Sequence, residues 1–229
     1  LIWALPAEEM GADFKGTLKA EVWDWTGRRS EKLLNCGIES EAMHQKAAEN
    51  QLMIRTAPSR VVDGQTYYNT DVELELQAAD SFSGLRDWTI RADGRVRSRQ
   101  TYNPEASDAE AYGETLVYRA AETLSLAAAD YNHNGVRVES EFTDQAGHKS
   151  RAEVNLSIDV TKPVVTVAYE ENQPVHGNYY RQPRTAVVTI RERNFDERDV
   201  KFRITGPEGA APVVSGWTHS GSGEAALHT

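Results

Sequence analysis

The chain has 229 residues, which is enough for one large domain or two ordinary ones with a hydrophobic core in each. Its formal net charge is −10, from 35 acidic and 25 basic residues dispersed along the sequence. A dispersed acidic surface lacks the basic face that neutralises phosphates, so the charge argues against nucleic acid and against anionic lipid as partners.

Two further features narrow the class of protein. No apolar stretch approaches the roughly 20 residues that cross a bilayer, so we expect no membrane insertion. Cys36 is the single cysteine, which excludes an internal disulfide and a thiolate metal cluster. The chain begins without Met and ends in the polar run 215–229, and we interpret both ends as cuts through a longer protein.

The first predicted element is a β-hairpin. Residues 21–30 read Glu-Val-Trp-Asp-Trp-Thr-Gly-Arg-Arg-Ser, which predicts a strand, an Asp-x-x-Gly turn and a second strand. We assign residues 1–38 to the closing hairpin of a preceding domain. Residues 39–50 are rich in Glu, Ala, Gln and Lys without an apolar stripe, which predicts a short helix or polar linker within a connecting segment, 39–54.

The middle of the chain begins with Thr56-Ala57-Pro58 and continues into a strand with strict alternation at residues 72–76. Asp71, Glu73 and Glu75 lie on the face of that strand opposite its apolar side chains. We interpret them as the solvated face and not as a glycosidase pair, which needs two carboxyls across a cleft.

A second hairpin is predicted around the turn from Asp144 to Gly147. Apolar residues alternate with polar ones on both sides of it, at Val136 and Val138 before the turn and at 154–160 after it. Asp144 is expected to accept hydrogen bonds from the turn backbone, and Gly147 is expected to take a positive φ. The position of Asp144 is 120 residues after Asp24 (144 − 24).

Two motifs therefore recur in a fixed order. Thr-x-Pro followed by Tyr-Tyr occurs at 56–68 and again at 161–180, and an Asp-x-x-Gly hairpin precedes each occurrence, at 21–30 and 141–150. The repeat length is close to the ~100 residues of an immunoglobulin-type sandwich. We predict a complete domain at 55–160 and the opening part of a following domain at 161–229, an incomplete sandwich with an exposed edge.

The sequence resembles the bacterial immunoglobulin-like repeats of long surface proteins in Gram-positive bacteria. Residues 144–148 (Asp-Gln-Ala-Gly-His) are similar to that family's Asp-x-Ala-Gly-Asn turn, and 158–167 are similar to its domain junction. Residues 178–180, 193–196 and 80–85 carry further short similarities. The departures are His148, where the family has Asn, and the degenerate turn in the first copy.

The resemblance implies a fold, a place and a role. The fold is all-β, as tandem immunoglobulin-like sandwiches. The place is extracellular, at the surface or in the cell wall of a Gram-positive bacterium. The role is that of a stalk or adhesin, whose partners are neighbouring domains of the same kind and a host glycan or matrix protein.

One segment matches the formal pattern of an EF-hand calcium loop. Its oxygen-bearing side chains are Asp130, Asn132, Asn134 and Glu141. The eighth position, which needs an apolar residue, is Arg137, and the segment from Val136 reads as a strand where the motif requires a helix. We therefore favour an Asn-Gly turn entering a strand over a calcium loop.

A second arrangement of oxygen ligands is Asp159 at the domain junction meeting Asp80 or Asp144 from neighbouring loops, which would suit calcium. We favour a solvated rim in which these aspartates cap turns. Trp88, Tyr67 and Tyr68 are the candidates for stacking on a sugar, although filling of the core is the usual role of such aromatics.

No catalytic constellation is predicted. The six histidines have no paired spacing for zinc, and no nucleophile motif accompanies them. We expect a structural or adhesive repeat region without catalysis and without a cofactor, calcium being the one ion to consider. The alternatives are a carbohydrate-binding or spacer module of a secreted glycoside hydrolase and a catalytic fragment whose active-site residues lie outside this chain.

Overall fold

The computed structural model describes residues 14–38, 50–80, 82–102, 109–112, 115–170, 174–177, 179–203 and 214–229. Within these ranges the chain consists of strands and turns, with two 3₁₀ turns at Glu197–Asp199 and Gly223–Ala225 and no α-helix. No described segment is a helix of the length and hydropathy that a membrane span requires. The predicted all-β class is confirmed for these residues. Of the predicted connecting segment 39–54, residues 39–49 lie outside them, whereas Gln51–Ile54 form a strand that pairs within the sandwich, so the linker does not extend to 54.

The chain divides into two compact units, Leu1–Val160 and Thr161–Thr229. The first described element is a hairpin of β1 (Phe14–Trp23) and β2 (Arg29–Ile38), which pair antiparallel as a two-stranded sheet. The side-chain oxygen Oδ1 of Asp24 accepts hydrogen bonds from the backbone N–H groups of Thr26 and Arg28, at 2.8 and 2.9 Å. The predicted turn is therefore present.

The remaining strands of the first unit form two sheets. The strands are β3 (Gln51–Ile54), β4 (Arg60–Val62), β5 (Gln65–Tyr68), β6 (Val72–Asp80), β7 (Leu85–Ala92), β8 (Arg95–Thr101), β9 (Ala109–Tyr112), β10 (Thr115–Leu126), β11 (Val136–Asp144) and β12 (Lys149–Ile158). One sheet has the order β3-β6-β10-β9 and the other the order β4-β5-β12-β11-β7-β8. Neighbouring strands are antiparallel, except that β5 and β12 pair in parallel.

The two sheets share one hydrophobic core, which gives the first unit its sandwich-like character. On β6 the side chains of Val72, Leu74 and Leu76 are fully buried, whereas Glu73 between them is exposed. The opposite sheet contributes Phe142 and its neighbours to the same core. Period-two alternation is the cause, because it sends every second side chain inward, and each large apolar side chain so buried contributes about 1.5–3 kcal/mol.

A hydrogen-bonded polar group lies inside this core. The indole N–H of Trp88 donates to the Ser140 hydroxyl at 2.8 Å, and that hydroxyl donates to the Asn50 side-chain oxygen at 2.9 Å. The Asn50 amide nitrogen in turn donates to the Ser140 carbonyl at 3.1 Å. Because each of these polar groups is paired, the core accommodates Trp88 without a desolvation penalty from its indole N–H.

We predict that Ser140→Ala destabilises the sandwich by about 1–3 kcal/mol, because it leaves the buried indole N–H of Trp88 without an acceptor. The measurement is the free energy of unfolding in urea. Ser125→Ala, which removes an exposed hydroxyl from β10, is the matched control and should change stability by less than about 0.5 kcal/mol. Equal effects of the two substitutions would contradict the assigned role of Ser140.

The second unit contains one four-stranded sheet. Its strands are β13 (Val164–Tyr169), β14 (Ala186–Arg191), β15 (His219–Ser220) and β16 (Leu227–His228), in the order β13-β14-β16-β15. The sheet β3-β6-β10-β9 of the first unit has the same arrangement. In both sheets the strands lie side by side in the chain order first, second, fourth, third. Strand β13 is an edge strand, and all six of its residues are exposed.

Candidate functional site

The turns at one end of the sandwich bring two of the predicted aspartates to the same place. Asp144 is fully buried, and its Oδ1 accepts hydrogen bonds from the backbone N–H groups of Gly147 and His148, at 2.7 and 2.8 Å. Gly147 has a φ of +99°, in the left-handed region that favours glycine. The predicted roles of Asp144 and Gly147 in the turn are confirmed.

Asp80 organises the adjoining turn in a similar way. Its Oδ2 accepts hydrogen bonds from the backbone N–H groups of Phe82, at 3.1 Å, and Gly84. The two turns are joined because the backbone N–H of Gln145 donates to the Gly84 carbonyl at 2.9 Å. Asp80 and Asp144 therefore lie at the same end of the sandwich, each as an acceptor for its own turn.

Asp159 lies at the opposite end. Strand β12 has ten residues and separates the turn of Asp144 from Asp159 by roughly 30 Å at about 3.4 Å for each residue. The backbone N–H of Asp159 donates to the Tyr68 carbonyl at 2.8 Å. The structure does not bring Asp159 to Asp80 or Asp144, because Asp159 lies at the other end of β12. The candidate calcium site at the junction, in which Asp159 would meet one of these two aspartates, therefore does not fit.

The formal calcium loop does not form a cradle either. Val136 begins β11, and Glu141 lies five residues along that extended strand, roughly 17 Å away at about 3.4 Å for each residue. Asn132 uses its Oδ1 to accept the backbone N–H of Val160 at 3.2 Å. Asp130 and Asn134 are exposed turn residues. Among the described residues, no three His, Cys, Asp or Glu side chains are grouped closely enough to hold a metal ion.

The aromatic candidates are differently placed from one another. Trp88 is 1% exposed and Tyr68 is 2% exposed, and both belong to the core, where Phe142 meets the Trp88 ring edge-on at 6.4 Å. Neither ring has a face that a sugar could cover, so the interpretation of these two as stacking residues does not fit the structure. Tyr67 is half-buried, and its hydroxyl donates to the Gln65 side-chain oxygen at 3.3 Å.

Several exposed or clustered side chains were not singled out by sequence reasoning. Trp25, at the tip of the β1–β2 hairpin, is fully exposed.

In the second unit, the guanidinium of Arg184 lies between the rings of Tyr169 and Tyr180, 3.8 Å from each centroid. Such stacking is worth about 0.5–2 kcal/mol. The only sequence signal for it was the Tyr-Tyr motif at 179–180, which does not reveal a cationic partner.

A ring cluster also closes the sheet of the second unit. The Phe195 ring stacks on His228 with centroids 4.1 Å apart, and the edge of Trp217 approaches Phe195 at 5.0 Å. The two Nδ1 atoms of His219 and His228 are 2.7 Å apart, and Nε2 of His228 is 2.8 Å from the Glu192 carbonyl. Since a carbonyl only accepts, His228 donates from Nε2 and therefore accepts from His219 when it is neutral.

The most informative arrangement is a hairpin that occurs twice. Val22 pairs with Ser30 in β1–β2, and Phe142 pairs with Ser150 in β11–β12. The same correspondence holds along the ladder as far as Gly16 with Cys36, which matches Val136 with Leu156. The turns also match, because Asp24 and Asp144 each accept backbone hydrogen bonds through Oδ1. The two hairpins thus share both turn chemistry and register.

The charges on the two hairpins lie on the same face. In β1–β2, Lys19 contacts Glu21 at 2.6 Å, and Arg29 pairs with both Glu21 and Glu31. In β11–β12, Arg137 contacts Glu153 at 2.6 Å, and the hydrogen bond from Arg137 holds the pKa of Glu153 below its ordinary value. Hydrogen bonds from the Thr26 side chain and the Arg28 backbone likewise lower the pKa of Asp24.

Comparisons of the chain with family models, with curated proteins and with solved structures returned no match.

We predict that Asp144→Ala destabilises the sandwich by about 1.5–3 kcal/mol, because the buried carboxylate's two backbone hydrogen bonds and its contact with Nδ1 of His148 are lost. Asp24→Ala is the matched control, since it removes the equivalent bonds from the exposed hairpin. We expect it to shift the unfolding of the sandwich by less than about 0.5 kcal/mol. The measurement is urea unfolding followed by tryptophan fluorescence, and a control that destabilises as strongly as Asp144→Ala would contradict the interpretation.

We also predict that calcium does not stabilise the folded chain. Because the candidate oxygens are dispersed between both ends of the sandwich, the described part of the chain offers no site at which calcium would bind the native state and stabilise it. The measurement is the thermal unfolding midpoint in millimolar calcium and in chelator. A rise of several degrees in calcium that Asp130→Asn or Asp80→Asn removes would establish a site that these distances argue against.

Proposed function

We propose that this chain is a structural spacer region of a bacterial surface protein, built from tandem immunoglobulin-like sandwiches and without catalytic activity. The extracellular place, at a Gram-positive surface or cell wall, follows from the resemblance of the turn at 144–148 and the junction at 158–167 to repeats of such proteins. The repeated hairpin supports the tandem part of the proposal, because one register recurs with an offset of 120 residues (144 − 24).

The observation that carries the proposal is the parallel pairing of an early strand of the sandwich with its last strand. Strand β5, early in the sandwich, pairs in parallel with β12, its last strand, through Tyr67 with Ser157 and Tyr68 with Ile158. The hydrogen bond from the Asp159 N–H to the Tyr68 carbonyl extends this pairing by one step. When the chain is pulled from its termini, tension reaches β5 from the N-terminal side and β12 from the C-terminal side. Because the two strands are parallel, these forces act in opposite directions along the strands, and the hydrogen bonds between them are loaded together in shear.

A spacer between a cell surface and an outer domain must transmit such tension without unfolding. Hydrogen bonds that are loaded together resist a pulling force better than hydrogen bonds that break one at a time. The second case occurs when the two open ends of a hairpin are pulled apart. The junction contributes as well, since Lys162-Pro163 follows at once and the fixed φ of Pro163 limits the backbone there.

The test is single-molecule stretching of the full chain from its termini. We expect the sandwich to unfold in one step, with a gain in length of about 3.5 Å for each residue released. Asp159→Pro removes the N–H that bonds to Tyr68 and should lower the unfolding force. Asp159→Asn keeps that N–H and is the matched control. Equal forces for wild type and both variants would contradict the role of the parallel pair.

A carbohydrate-binding module is the second candidate, and the specific observation in its favour is the exposed aromatic tip of the first hairpin. Trp25 is fully exposed and Trp23 is 58% exposed. An array of glycans and matrix proteins, probed with the full chain in calcium and in chelator, distinguishes the candidates. Reproducible silence supports a spacer, whereas binding that Trp25→Ala abolishes would support the carbohydrate module.

A further inference from the structure

Two histidines of the second unit meet through the same ring atom. His219 on β15 and His228 on β16 are directly opposite each other in an antiparallel pair. Their Nδ1 atoms are 2.7 Å apart, which is a hydrogen-bonding distance, and their ring planes are inclined by 66°. The two residues are nine positions apart in the sequence, which is not the spacing of a zinc motif. The contact is therefore visible only in the fold.

The backbone brings these two side chains together. Next to the histidine pair, Thr218 and Thr229 exchange both of their backbone hydrogen bonds, at 2.7 and 2.9 Å. The histidines therefore form a non-hydrogen-bonded pair, in which opposite side chains lie closest together. The connection between the strands is tight, since Gly221 has a φ of +73° and a Cβ there would lie 2.5 Å from the Ala225 carbonyl oxygen. This turn fixes which residues are opposite.

The ring of His228 is held on two sides. Its Nε2 donates to the Glu192 carbonyl at 2.8 Å, and its face stacks on Phe195 with centroids 4.1 Å apart and planes within 9°. A neutral imidazole carries one N–H, so donation from Nε2 leaves an unshared electron pair on Nδ1, the atom that faces His219. Histidines that bind metals have this arrangement, with one ring nitrogen donating to a carbonyl and the other free to coordinate.

His219 can supply the second electron pair. It is exposed, and its neutral ring has two tautomers. In one, Nδ1 carries the proton and donates to His228. In the other, the proton is on Nε2, and the two Nδ1 atoms direct electron pairs at each other. That second state is unfavourable by itself and becomes favourable when a cation lies between the two nitrogens.

We propose that Nδ1 of His219 and Nδ1 of His228 together bind one transition-metal ion, and that the ion is copper(II). Metal–nitrogen bonds of about 2.0–2.1 Å place neighbouring ligands about 2.9 Å apart in a square or tetragonal site and about 3.3 Å apart in a tetrahedral one. The separation of 2.7 Å is closer to the first value. Tetragonal nitrogen sites suit copper(II) and nickel(II), and copper(II) binds most tightly of the divalent first-row ions.

Water completes the coordination of this ion. Among the described residues, no third His, Cys, Asp or Glu side chain joins the pair, so the two histidines are the protein ligands. The proton of His219 moves from Nδ1 to Nε2 on binding, and no proton is released when both rings are neutral. The site differs in kind from the calcium candidates, because calcium takes oxygen ligands and copper(II) takes imidazole.

The proposal depends on a contact within one sheet and not on what adjoins that sheet. It is also independent of the spacer function, because neither histidine belongs to the sandwich or to its parallel pair. An ion at this position would join β15 to β16 through their side chains. The expected consequence is a firmer closure of the β13-β14-β16-β15 sheet at that end.

The test is a calorimetric titration of the full chain with copper(II), in the presence of excess glycine to suppress binding at single histidines. We expect one tightly bound ion per chain. His219→Gln and His228→Gln should each weaken its binding by about a hundredfold, because the remaining nitrogen has lost its intramolecular partner. His176→Gln, which removes an exposed histidine of the same unit, is the matched control and should bind as wild type does.

The double variant separates one shared ion from two independent ones. If the ion is shared, the double variant binds as weakly as either single variant. If the sites are independent, wild type binds two ions and each substitution removes one, which would overturn the proposal. The electron paramagnetic resonance spectrum of the wild-type complex should show coupling to two imidazole nitrogens, and that of His219→Gln coupling to one.

His219→Gln is the principal variant, because it leaves the Glu192 hydrogen bond and the Phe195 stack of His228 in place. Near-ultraviolet circular dichroism, to which the contact of Phe195 with Trp217 contributes, checks that the ring cluster is retained. If His228→Gln disturbs the cluster, the result for His219→Gln alone decides. A wild type without a tight site, or binding that His219→Gln does not weaken, would overturn the proposal.

Discussion

The register of the hairpins is the constraint on which the sandwich depends. A slip of β12 by one residue against β11 would turn Leu156 to solvent and would turn Glu153, the ion-pair partner of Arg137, into the core. The turn fixes the register, because Asp144 binds the backbone of two later residues and Gly147 supplies the left-handed conformation that closes the loop. The charged outer face opposes the slip a second time, since buried charges without matched partners are costly.

The sequence could predict these hairpins because their determinants are local. An Asp and a Gly three residues apart specify a turn, and alternation on both sides specifies which residues point inward. The buried residues Val136, Val138 and Leu156 all follow from this rule. Strand β6 is predicted for the same reason. In each case the information lies within a few residues of the element that it determines.

The candidate sites failed where they required knowledge of distant contacts. Asp159 and Asp144 both follow strands, but nothing near either residue indicates that β12 separates them by its full length. The calcium loop fits by spacing alone, whereas its twelfth residue, Glu141, lies in a strand that pairs with β7 and β12. The burial of Trp88 depends on Ser140 and Asn50, which are 52 and 90 positions away from their partners in the sequence. Such pairings are properties of the fold and are not visible in a short pattern.

The same distinction bears on the repeated parts of the chain. A hairpin can keep its register by itself, because its turn and its outer ion pairs are internal, but it cannot bury its inner face alone. A sheet such as β13–β14 has the complementary deficiency, since pairing satisfies its backbone while Val165 and Val167 stay exposed. In the sandwich the hairpin and the sheet bury each other's apolar faces, because β11–β12 covers β3 and β6. The hairpin register and the strand order therefore recur as separate halves of the arrangement that the sandwich combines.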